Sequence, residues 1–212
     1  MSDAAVLPAH HFETHEQQRL AGEVGMWLFL VTEFMFFGGL FLAYFIYRNW
    51  YPVEFVEGGH TMDSVLGAIN TGVLLTSSLT MALAVHAAEQ SERRRTLWLL
   101  IATMVFGTIF LGVKAYEYHH KYEEGLMPFL APEVWQPDRR GLATFLHLYF
   151  LMTGVHAFHM VIGIGALAIL ARWTTQGVTL GPRSLVVHNV GLYWHFVDLV
   201  WVFLFPFFYL VA

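Results

Sequence analysis

The side chains of this sequence that could do chemistry are its twelve histidines and a few charged groups that fall inside long apolar runs. Glu33 stands in the first run, Lys114 and Glu117 in the third, His156 and His159 in the fourth, and His195 and Asp198 in the fifth. Each of the last three pairs is spaced three apart, which puts both members on one helical face. An ionisable group at mid-bilayer costs about 3 kcal/mol or more unless it is paired or neutralised, so each is a functional candidate by default. The histidines are therefore either membrane-embedded polar contacts or ligands.

The ligand reading is narrowed by what accompanies them. With zero cysteines there are no disulfides, thiolate metal sites or iron–sulfur clusters. Glu117-Tyr118-His119-His120 supplies an E-x-x-H, but a di-iron carboxylate bundle needs two such motifs on its core helices and two further facing glutamates; the other occurrence, Glu57-Gly58-Gly59-His60, falls in a polar connection outside the apolar runs. A bis-histidine haem needs one histidine from each of two facing helices at matching depth, and His147, His156, His159, His188 and His195 leave a small bis-His haem membrane protein open as an alternative. No glycine-rich phosphate loop is present. Eleven basic and sixteen acidic residues give a net charge of −5, with the bases scattered, so there is no electrostatic footprint for nucleic acid.

The elements that must position these groups follow from composition. Hydrophobic residues make up 57% and charged residues 13% of the 212, whereas a soluble domain is about 25% charged. Five apolar runs approach or exceed the roughly 20 residues needed to cross a bilayer: Val24–Tyr47, Ser64–His86, Thr96–Tyr116, Ala143–Ala171 and Leu185–Leu210. Polar connections containing Pro52, Gly58-Gly59, Arg93-Arg94-Arg95, Pro128, Pro132, Pro137 and Pro182 separate them. Backbone groups in lipid must be satisfied internally, and the alternating segments of about ten residues that mark a barrel are missing. The expected fold is all-α, an integral membrane five-helix transmembrane bundle. Residues 1–23 form a polar cytoplasmic tail and 24–212 the membrane domain. Arg19, Arg93, Arg94, Arg95, Arg172 and Arg183 on the N-terminal side outnumber Arg48, Lys121, Arg139 and Arg140 on the other, which favours a cytoplasmic N-terminus and an external C-terminus.

Depth arithmetic then pairs some of the groups. At 1.5 Å per residue, Glu33 lies about 12 Å from the inner edge; His156 and His159, counted from Ala143 across a core of about 30 Å, lie roughly 6–10 Å from that edge. A contact of Glu33 with His156 or with His159 is allowed, serving either as a proton-handling carboxyl or as an interhelical lock. His195 and Asp198 are expected to form an interhelical hydrogen-bonded pair. Lys114 and Glu117, near the outer edge, are expected to snorkel.

Five strings in order carry a family resemblance: Gly25–Gly39 (GMWLFLVTEFMFFGG), Ile69–Ser78 (INTGVLLTSS), Leu111–Tyr118 (LGVKAYEY), Gly154–Gly163 (GVHAFHMVIG) and Tyr193–Trp201 (YWHFVDLVW). Together they resemble subunit III of the haem–copper oxidases over nearly the whole membrane part. Long members have seven helices; this chain resembles the short five-helix bacterial form, which starts at their third. The resemblance implies a non-catalytic subunit of a proton-pumping terminal oxidase that oxidises cytochrome c and reduces oxygen to water. A quinol oxidase of the cytochrome bo type is the alternative. It further implies no cofactor in this chain, haems and copper in partner subunits, bound phospholipids, and a bacterial inner-membrane location. The implied neighbours are subunit I directly, subunit II, and subunit IV or a larger respiratory supercomplex. Glu33 matches the family's buried glutamate, His156 and His159 its paired histidines, His195 and Asp198 its closing motif. Arg172 lies near the place of a lipid-headgroup arginine.

Overall fold

A computed structural model of the chain describes residues 14–127, 139–181 and 184–211. Residues 1–13, Pro128, Pro132, Pro137, Pro182 and Arg183 lie outside the described residues. Six helices follow in order: α1 (His15–Trp50), α2 (Pro52–His60), α3 (Ser64–Glu89), α4 (Arg93–Glu123), α5 (Arg140–Thr175) and α6 (Leu185–Tyr209). All but α2 are long and apolar enough to cross a membrane, and no strand occurs among the described residues. The all-α, five-span expectation therefore stands.

The helices outrun the apolar segments where local chemistry supports them. α1 begins at His15, upstream of Val24, because the Thr14 hydroxyl accepts from the Gln17 N–H at 3.1 Å and satisfies one of the free N-terminal donors. Asp63 does the same for α3, accepting from Val65 and Leu66. α4 and α5 stop before Gly125 and Gly177, whose positive φ angles, 69° and 73°, reverse the chain. α2 lies in a connection that reads as a polar loop in sequence. Pro52 starts it with a pre-set φ, and Phe55, fully buried between the rings of Tyr44 and Phe145, anchors it.

Helices α3 to α6 form an antiparallel bundle; α1 leans on α5 and α6 from outside, and α2 closes the far end over α5. Trp194 of α6 fixes the spacing at mid-bundle. A Cβ on Gly107 of α4 would come within 2.8 Å of its ring and one on Gly163 of α5 within 2.9 Å, so two small residues admit one large side chain. At the far end Phe55, Phe145, Phe208 and Tyr44 pack edge to face, and the Tyr44 hydroxyl donates to the Phe207 carbonyl. This frame sets α1 against α5 at the depth of Glu33, and the end of α4 against the start of α5 and the end of α6.

Candidate functional site

Glu33 projects from α1 toward α5, where its Oε2 lies 3.1 Å from His159 Nε2. The opposite edge of the ring is fixed by α5 itself: His159 Nδ1 is 2.9 Å from the Val155 carbonyl. A carbonyl only accepts, so Nδ1 carries hydrogen, and in the neutral ring Nε2 is then a lone pair. Nε2 faces the Glu33 carboxyl across the 3.1 Å contact, a carboxyl–imidazole hydrogen bond between α1 and α5. Tyr193 of α6 donates to the His159 carbonyl at 2.9 Å, and the Phe37 ring stands edge-on to the imidazole at 5.2 Å. Both side chains stay partly accessible, 19% for Glu33 and 12% for His159. The pair is thus a carboxyl–imidazole contact at the bundle's flank, open on its outer side.

His156, the other depth-allowed partner, is turned away. It is 1% exposed inside the four-helix bundle, between the rings of Phe110 and Trp201, and has no hydrogen-bond partner among the described residues. His195 and Asp198 do not bond to each other. His195 Nδ1 meets the Ser78 hydroxyl of α3 at 2.7 Å. Asp198 is buried with Ser78 as its polar neighbour, and neither of its oxygens makes a well-aligned hydrogen bond. Arg172 is exposed in the last turn of α5, where a cation complements the helix dipole. It is not drawn into the Glu33 site.

Lys114 and Glu117 correct the snorkelling expectation. They are 4% and 5% exposed, and the lysine turns into the bundle. Its three N–H bonds go to Glu117 at 3.1 Å, Tyr149 at 2.9 Å and Tyr209 at 2.8 Å. Both tyrosine hydroxyls donate to the other glutamate oxygen. Every donor of the ammonium and both carboxylate oxygens are used, and the Tyr149 ring adds a cation–π contact at 4.9 Å. The cluster is buried and its hydrogen bonds close on themselves, which makes it a clamp between α4, α5 and α6. Sequence reasoning also missed the polar contacts that key α3 to its neighbours. Trp194 Nε1 donates to Ser77 at 3.1 Å, Ser77 donates to the Thr103 carbonyl at 3.2 Å, and Trp201 Nε1 donates to Thr71 at 3.0 Å. The signal for these was present as hydroxyls in an otherwise apolar run.

Comparison with known proteins agrees with this frame. A family described as "Cytochrome c oxidase subunit III" matches residues 3–212. Among curated relatives, "Probable quinol oxidase subunit 3" of Staphylococcus haemolyticus (strain JCSC1435) is 28% identical over 202 residues, covering 94% of this chain and 92% of its own. The protein of the same name from Staphylococcus epidermidis (strain ATCC 12228 / FDA PCI 1200) is 29% identical over 207 residues with the same coverage, and that of Staphylococcus aureus (strain USA300) is 28% identical over 202. With five spans and a family match over residues 3–212, the chain belongs to the cytochrome c oxidase subunit III family, integral membrane subunits of haem–copper oxidase complexes.

Proposed function

We propose that this chain is the non-catalytic subunit III of a proton-pumping oxidase that oxidises cytochrome c, and that it supports proton uptake and the stability of subunit I. The Glu33–His159 contact carries this reading, because it is a protonatable group placed within the membrane and reachable from the outside of the bundle. A carboxyl hydrogen-bonded to an imidazole can pass a proton across that bond. Haems and copper belong to subunits I and II in this reading. Subunit I covers part of the exposed helix surface, with subunit II and a subunit IV or larger supercomplex further out. Phospholipids fill the remainder, Arg172 serving a headgroup. The N-terminus faces the cytoplasm of a bacterial cell and the C-terminus the outside. A quinol-oxidising complex is the second reading, favoured by the printed names of the staphylococcal relatives.

Purification of the complex through a tag on this chain tests the proposal. Haem absorbance is expected in the preparation, with oxygen uptake driven by reduced cytochrome c. Uptake driven by quinol alone selects the second reading. A colourless preparation of the chain without a haem-bearing partner overturns both.

A further inference from the structure

Five of the six buried side-chain polar atoms without a hydrogen-bond partner among the described residues belong to three side chains: both nitrogens of His156, Oδ1 of Asn70 and both carboxyl oxygens of Asp198. These side chains are 1%, 1% and 4% exposed and come from α5, α3 and α6. They share one layer of the bundle. The His156 ring lies 5.5 Å from the ring of Phe110 and 5.3 Å from that of Trp201. Asn70 reaches the same layer through α4, its Nδ2 donating to the Phe110 carbonyl at 3.3 Å. Asp198 stands three residues before Trp201, on the same face of α6 and about 4.5 Å along its axis. On one side of the layer is the Lys114 clamp, whose Nζ is 5.2 Å from the centre of the Trp201 ring. On the other is the contact of Ser78 with His195 Nδ1 at 2.7 Å.

Polar groups are costly in an apolar interior unless something meets them, because burial strips away the water that bonded them in the unfolded chain. The chemistry of these three narrows what can do so. A neutral imidazole offers one donor and one acceptor, an amide oxygen only accepts, and carboxyl oxygens accept. A cation leaves the imidazole N–H unmet, an anion leaves the amide and carboxyl oxygens unmet, and an apolar molecule meets none of the five atoms. A small molecule that both donates and accepts meets them all. Buried water, at about one molecule per 27 residues of a folded chain, ordinarily bonds such groups. We propose that the layer between the Lys114 clamp and the Ser78–His195 contact is an internal water site. Water there accepts from one His156 nitrogen and donates to the other, to Asn70 Oδ1 and to Asp198. It joins α3, α5 and α6 by polar contacts that their side chains do not make directly, and it is independent of the Glu33–His159 pair on the outer face of α5.

The test uses the complete complex in nanodiscs and hydroxyl radicals made in place by a brief X-ray exposure, which oxidise side chains lying next to water. Mass spectrometry of the peptides locates the added oxygen. Trp194 is the internal control. Like Trp201 it is 0% exposed, but it packs against Gly107 and Gly163, and its Nε1 donates to Ser77 at 3.1 Å, two turns along α6 from the proposed site. Trp201 is expected to be oxidised faster than Trp194. His156→Phe removes two of the five polar atoms and is expected to abolish the excess at Trp201 while leaving Trp194 unchanged. Asn70→Leu removes an acceptor from a different helix and is expected to reduce the same excess, so the reading does not depend on one variant folding. Equal oxidation of the two tryptophans in the wild-type complex, or an excess at Trp201 that survives either substitution, overturns the proposal.

Discussion

At the scale of single residues, the decisive feature is which side of α5 meets Glu33. The depth of Glu33 could be counted from sequence, and counting narrowed its partner to His156 or His159. The choice between them could not be counted. Three residues along a helix turn the side chain by about 60°, and only the placement of α1 against the outer face of α5 selects His159. His156, one turn away, belongs to the interior. A carboxyl that shares a proton in apolar surroundings reacts with an apolar carbodiimide, whereas an ionised one in water does not. Glu33 is therefore expected to be labelled in preference to Glu54 and Glu123, with mass spectrometry of the peptides as the readout. Equal labelling of the three would show that Glu33 holds no proton. His159→Phe removes the alternative seat for that proton and is expected to increase the labelling of Glu33.

At the scale of elements, the bundle is held by one closed ionic clamp and by steric keys. Lys114→Met leaves Glu117 charged and buried without its cation, an imbalance worth about 3–5 kcal/mol. Lys114→Met combined with Glu117→Met removes both charges and is expected to recover most of that loss. Thermal unfolding of the complex measures the pair. Similar destabilisation of the single and double variants would show that packing, not charge balance, governs the site. Gly163→Val forces a branched side chain toward the Trp194 ring and is expected to cost roughly 1–3 kcal/mol. Gly165→Ala, with nothing within 4 Å of the added carbon, is the matched control and is expected to be silent. The five spans and their order were readable because lipid leaves a backbone no choice but helix. The clamp was not readable, since its tyrosines enter from positions 35 and 95 residues beyond Lys114 and nothing local marks them. The rule that a terminal lysine snorkels assumed an outward stem; three acceptors supplied by α4, α5 and α6 draw it inward. α2 was hidden for a similar reason, because Phe55 finds its burial against residues of α1 and α5.

At the scale of the whole molecule, α1 is the least enclosed helix. Its outer face exposes Trp27, Leu28, Phe34, Met35 and Leu42, while its inner face carries Glu33. Such a surface is at rest only in lipid or against other helices, so the chain is expected to be markedly more heat-stable within its complex than alone, as binding linkage requires. Equal melting temperatures for the free chain and the complex would argue against a supporting role. The composition that excluded a soluble protein thus describes a subunit whose few polar groups are sorted into a clamp, a set of interhelical keys and one carboxyl–imidazole pair. The central claim is that this pair takes part in turnover without maintaining the redox centres. Protons translocated per electron, together with activity half-life during turnover, in wild-type and Glu33→Gln complexes matched for protein, test it most directly. The account predicts an unchanged haem spectrum with a lower proton yield or a shorter half-life; loss of the haems, or no change in either quantity, would contradict it.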